Sequence, residues 1–257
     1  MSISIYVCYH EPQAKLIEAP GLVPLYLGSA PMPPGLNDQN GEHIHALNPR
    51  YAELTGLYWA WKNDRSSTYK GLCHYRRYFD QNNRSWFRLS AGPQKVAQKR
   101  AHRLEIKPTQ LFDGYDIVLP QAYNLKKSVH DEFVQYHHAE DLSWLKQAIQ
   151  IISPEYLPAY NAFFQSRRHH CFNMFLAPAK WFDLYCHWLF QVLAQFDELD
   201  TTTRSGYQSR IAGFIGERLL NVFILHHKLR VKELPVFRIQ KKRLYESPLV
   251  HQWLTHI

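Results

Sequence analysis

Apolar residues recur along the chain with two periods, one suited to strands and one to helices. Residues 3–8, Ile-Ser-Ile-Tyr-Val-Cys, are rich in β-branched and aromatic side chains and predict a buried strand. Residues 23–27 predict a second, ending at Gly28, and 69–73 a third. Further strands are expected at 115–119, stopped by Pro120, at 171–177 and at 231–236. Between them the period changes. Asn48 is a suitable N-cap and Pro49 suits the first helical position. Leu54, Leu57, Tyr58 and Trp61 then repeat at helical spacing until Asn63-Asp64 closes the segment. Ala52, Gly56 and Ala60 form a stripe of small residues that lets another backbone approach closely. Ser128 can cap a helix over 129–152, and two more are predicted over 178–196 and 207–227.

This alternation predicts an α/β sandwich with a mainly parallel or mixed sheet flanked by helices. Ligands in such sheets bind beyond the carboxyl ends of strands, so the loops after Cys8, Cys73, Pro120 and Ala177 are the first places to look. Residues 29–47, with Pro31, Pro33, Pro34, Gly35 and Gly41, read as a long loop of the kind that is functional or mobile. Residues 1–240 read as one domain. Residues 241–257 read as a basic, aromatic tail containing Lys241, Lys242, Arg243, Tyr245 and Trp253.

Charge narrows the partners. A net +8 over 257 residues favours anions: nucleic acid, a diphosphate donor or an acidic membrane leaflet. The 14% of aromatic residues suits a sugar-binding cleft as well as a core. No helix-turn-helix or other nucleic-acid motif accompanies the charge, so a basic nucleic-acid-binding protein stands as the alternative function, and a noncatalytic membrane scaffold as a third. The four cysteines form no C-x-x-C pair, and the opening residues lack a signal-peptide pattern. The expected setting is therefore cytoplasmic, with the tail touching the anionic inner face of the membrane.

Four features carry candidate chemistry. In His74-Tyr75-Arg76-Arg77-Tyr78, two arginines at a strand end offer planar donor forks suited to phosphate oxygens. An exposed basic turn paired with carboxylates is the alternative. At 100° per residue, Arg210, Gly213, Glu217 and Asn221 share one stripe of an otherwise apolar helix. Glu217 there could be a general base, hold a sugar hydroxyl, or pair structurally with Arg210. His138 and Asp141 share a helix face, making Asp141 a second candidate base. Finally, Asp-x-Asp is absent, so a divalent metal is possible but has no evident ligand motif, and G-x-x-x-x-G-K-[ST] and G-x-G-x-x-G are absent too.

Several blocks together resemble a known family. They are Asn48-Pro49, Glu53-Leu54-Thr55, Tyr58-Trp59-Ala60-Trp61-Lys62-Asn63, Gly71 through Phe79, Tyr115 through Pro120, Asn173-Met174-Phe175 and Gly213 through Leu219. They are similar to the domain of unknown function 4422, associated with glycosyltransferase family 111. The resemblance spans about residues 3–236. It implies a GT-A-like fold and a nucleotide-sugar donor, UDP-linked, with transfer of a hexosyl group, galactofuranosyl first among them, onto a capsular, exopolysaccharide or lipopolysaccharide acceptor. On this reading Glu217 and Asp141 are the candidate catalytic residues. Glu53, His74, Tyr75, Arg76, Arg77, His138, Arg210 and Asn221 are the candidate substrate-binding set, with no metal ligand assigned.

Overall fold

The computed structural model describes residues 2–81, 90–91 and 106–239. The tail from 241 and most of the basic stretch 82–105 lie outside the described residues, and with them the tail's expected membrane contact. Strand β1 (Ile3–Tyr9) lies between β2 (Leu22–Tyr26) and β3 (Tyr69–His74), parallel to both. On the far side of β3 the sheet continues antiparallel to β9 (Phe175–Pro178). Next comes β6 (Ile117–Pro120), antiparallel to β9, and then β10 (Val231–Leu234), parallel to β6. A short arm extends the other end of β3 through β4 (Arg77–Phe79), β11 (Val236–Ile239) and β5 (Ser90–Ala91). Two-residue strands β7 (Tyr123–Asn124) and β8 (Arg168–His169) pair separately. The fold is thus α/β with a mixed sheet.

Alternation within β1 divides the core. Tyr6 and Cys8 face one layer with the helices, while Ile5, Val7 and Tyr9 face a second layer built with Tyr78, Phe79 and Phe237 of the short arm. The helical layer contains α2 (Leu54–Asn63), α5 (Glu140–Ile152), α6 (Leu157–Gln165), α7 (Ala179–Leu199) and α8 (Ile211–His227). Shorter helices are α1 (Asn48–Tyr51), α3 (Pro108–Leu111) and α4 (Val129–Tyr136). No described helix is long and apolar enough to cross a membrane.

Two expected helices are broken, each for a tertiary reason. The segment from Asn48 stops after Tyr51, because Ala52 adopts φ +50° and ψ −127° before α2 begins. The Asn48 amide clamps this kink by donating to the Ala52 carbonyl at 3.1 Å and to the Thr55 hydroxyl at 3.0 Å. The kink takes Ala52 out of the expected small-residue stripe, and at Gly56 it is side chains that approach closely: a Cβ there would come within 2.9 Å of Leu27 and 3.1 Å of Cys8. Helix 129–152 divides at His137, which is extended rather than helical. Its ring packs against Phe133 and Phe214 and its Nδ1 meets the Gln208 amide oxygen at 3.0 Å, contacts that local periodicity does not reveal. Helix α6 was not expected from the periodicity. The last predicted strand is two, β10 and β11, divided at Pro235, which donates no hydrogen bond.

Candidate functional site

At the carboxyl ends of parallel β1 and β3 the chain places His10 and His74-Tyr75-Arg76-Arg77. Three other segments meet them there: the α1–α2 junction with Glu53, the turn before β9 with Phe172-Asn173, and the start of α8. The turn is strained. Phe172 and Asn173 both have positive φ, +82° and +49°, and Ala52 beside Glu53 is a third such residue. Backbone strain of this kind persists only where the surroundings over-determine it, and it concentrates at functional sites.

Side chains from α8 and Glu53 hold that turn. The Glu217 carboxylate accepts from the Phe172 N–H at 3.1 Å. The Asn173 amide donates to Glu53 at 2.8 Å and to the Gly213 carbonyl at 3.0 Å. Asn221 bonds the backbone N–H and carbonyl of His170 at 3.0 and 2.9 Å. The predicted polar stripe therefore exists, and its partner is the 170–173 turn. Helix α8 also lies close to the α1–α2 junction, where a Cβ on Gly213 would sit 3.3 Å from the Ala52 Cβ. Between Ile211 and Ile224 only Phe214 and Glu217 are not fully buried, and they lie one turn apart.

Electrostatics separate the two carboxylates. Burial pushes Glu217 up to about 7, against the lowering effect of Arg218 and Arg77 and reinforced by Glu53. Burial would also raise Glu53, but His74, Arg210 and Asn173 outweigh it and hold Glu53 below its ordinary range. Arg210 meets Glu53 at 3.4 Å rather than Glu217, whose nearest cation is Arg218, also at 3.4 Å. Two carboxyls pushed apart in this way suit different protonation roles near neutral pH.

His74 is a neutral group here. Burial lowers it to about 4 despite nearby Glu53. Its Nε2 meets the Phe172 carbonyl, which can only accept, so Nε2 carries the proton. His74 thus supports the turn and brings no net charge to a phosphate. Arg76 and Arg77 differ: among the described residues no carboxylate lies within salt-bridge distance of either. Arg76 sits over the Tyr75 ring at 5.5 Å and Arg77 over the Phe172 ring at 4.5 Å. Burial, then Arg238 and Arg76, lowers the Arg77 guanidinium below its ordinary value.

The other expected pair lies elsewhere. Both Asp141 carboxylate oxygens are on Arg204, at 2.5 and 3.3 Å, and Asp141 is fully buried. His138 is exposed and touches Asp141 through its backbone carbonyl, not its ring. Their helical spacing is real, but the ion pair turns the Asp141 side chain inward. No motif or periodicity marks His10, Phe172 or Arg238. Asn173 appeared only within a matching block, and nothing local marks these positions as converging.

As a metal site the surroundings fit poorly. Among the described residues one trio, His169, Cys171 and Glu217, has ligand atoms within 4.8 Å of one another. It offers a single carboxylate beside a thiol and an imidazole, with the Arg218 guanidinium against that carboxylate. Mg²⁺ and Mn²⁺ favour oxygen donors, so this set does not suit them, and no step below uses a metal.

Among the described residues a nine-stranded mixed sheet flanked by helices, with this cluster beyond β1 and β3, defines an α/β protein. The chain belongs to the family described as a domain of unknown function, DUF4422, whose model matches residues 4–228. Its fold is similar to that of a solved apo structure of the bifunctional glycosyltransferase WbbM, with 26% identity and a TM-score of 0.81. The similarity covers 96% of this chain and 48% of that one, so the chain spans about half the length of WbbM. No curated protein matches it.

Proposed function

We propose that the protein is a glycosyltransferase that moves a hexosyl group from a nucleotide-sugar donor onto a saccharide acceptor. The observation that carries this reading is the pairing of a partly exposed carboxyl, Glu217, raised to about 7, with Arg76 and Arg77, which lack carboxylate partners among the described residues. Transfer with inversion needs one base to take the acceptor proton as the new bond forms, and fixed cations to stabilise the departing diphosphate. Glu217 takes the first role and the arginines the second. Glu53, held ionised by Arg210 and the Asn173 amide, is the anion that orients donor or acceptor hydroxyls. The resemblance to galactofuranosyl transfer points to UDP-galactofuranose as donor and a bacterial surface glycan as acceptor. The basic tail is the part suited to holding the enzyme at an anionic inner membrane face.

The test is UDP release from a panel containing UDP-galactofuranose, UDP-galactopyranose and UDP-glucose, with and without saccharide acceptors. The expected result is acceptor-stimulated release from one donor. Arg76→Ala and Arg77→Ala should each lower it roughly ten- to hundredfold, the loss of one charge-assisted contact of about 1.5–3 kcal/mol. A folded protein that neither binds nor consumes any UDP-sugar would remove the reading.

A further inference from the structure

Arg77 of β4 and Arg238 of β11 are direct cross-strand partners in an antiparallel pair. Such partners project from the same face with Cβ atoms roughly 5 Å apart, where like charges destabilise a sheet. Both guanidiniums also lie against one ring, at 4.5 and 5.0 Å from the Phe172 centroid. Among the described residues neither has a carboxylate within ion-pair distance. Arg238 donates to the Tyr123 hydroxyl, while its Nε is buried with no hydrogen-bond partner among the described residues. Two neighbouring cations, one with an unused buried donor, form an arrangement that an anion would complete.

We infer that Arg238 and Arg77, floored by Phe172, form a two-guanidinium site for a diphosphate, with Tyr123 orienting Arg238. The site itself stands on geometry; its identification with the diphosphate of a sugar donor rests on the transferase reading. Arg238 lies beyond residues 4–228, so the family match alone would not point to it. The site is also joined to the candidate base. Phe172, which carries the two guanidiniums on its ring, gives its N–H to Glu217 and its carbonyl to His74. The site is therefore linked through Phe172 to the group proposed to take the acceptor proton.

Calorimetric titration of the full chain with UDP, UMP and inorganic pyrophosphate tests the site. Wild type should bind UDP and pyrophosphate at least tenfold more tightly than UMP. Arg238→Gln should weaken both by tenfold or more, and Arg238→Lys, which keeps the charge but loses the planar fork, by less. Arg230→Gln, which disrupts an exposed pair with Asp116, should leave affinity unchanged. Wild-type UDP and pyrophosphate affinity in folded Arg238→Gln or Arg238→Lys would overturn the site, as would a wild-type protein that binds neither ligand. The outcomes also separate the two proposals. If Arg238→Gln loses UDP affinity but wild type consumes no UDP-sugar, the anion site stands and the transferase reading fails. If wild type and Arg238→Gln turn over a donor equally, the reverse holds.

Discussion

Two clusters of arginine and carboxylate lie close to helix α1, and they are built on opposite plans. In one, Arg50 reaches Asp197 at 2.6 Å and Asp200 at 2.7 Å, and Arg204 reaches Asp141 at 2.5 Å and Asp200 at 3.0 Å. The Tyr51 hydroxyl and the Thr202 N–H take further carboxylate oxygens. Each charge is answered, and the cluster fastens α1, α7 and the loop before α8 to one another. In the other, Arg76, Arg77 and Arg238 meet no carboxylate among the described residues, Glu53 holds Arg210 only at 3.4 Å, and Glu217 is displaced far from its ordinary titration. A closed ionic cluster is structural. An open one, with unanswered cations beside a carboxyl that resists ionising, is poised for something that arrives from outside.

The comparison breaks if the clusters respond alike to mutation. The largest effect expected is on the closed side. Asp141→Ala leaves Arg204 buried and short of a partner, and should cost about 3–5 kcal/mol in urea denaturation, with turnover per folded molecule unchanged. A specific loss of turnover at full stability would move the candidate base to Asp141.

Glu217→Gln should do the opposite, lowering turnover by ~10²-fold while stabilising the fold at high pH. Folded Glu217 titrates at about 7, above the ordinary 4.5, so the folded state holds a proton that the unfolded state releases. Its stabilising effect is complete below about 4.5 and is lost as pH rises through 7. The Gln variant escapes that loss, by on the order of 1–3 kcal/mol at pH 8. Matched melting curves at pH 5 and 8 read this directly, and the same titration predicts that wild-type turnover rises with pH through about 7. A Gln variant with full turnover would end the catalytic assignment.

The smallest effect concerns strain. Ala52→Gly removes the Cβ from a residue at φ +50° and should raise stability by about 1 kcal/mol. A loss of stability would show that the Cβ contact with α8 outweighs the relief.

Much of this architecture was legible from residue pattern, because strands such as β1 and helices such as α7 bury faces that follow their own periods. The polar stripe on α8 was legible for the same reason. Its target was not: periodicity says that Glu217 and Asn221 face something polar, and only the folded chain shows that it is the 170–173 turn. His138 and Asp141 mark the converse limit, since helical spacing brings residues to one face without saying where their side chains point. Arg238 lies in an unremarkable strand pattern and gains meaning only through its register with Arg77. The strained Phe172-Asn173 pair has no glycine to advertise it.

The cleft draws on residues 10, 53, 74–77, 172–173, 210–217 and 238, segments scattered across nearly the whole chain. During synthesis the sheet's first strands, β1 to β3, emerge early, yet Arg77 faces an incomplete neighbour until β11 has left the ribosome and paired with β4. No fragment that ends before β11 holds the complete set. On the transferase reading, donor consumption would report on the completeness of the folded molecule, and a chain that ends before β11 would have no means of spending nucleotide sugar prematurely.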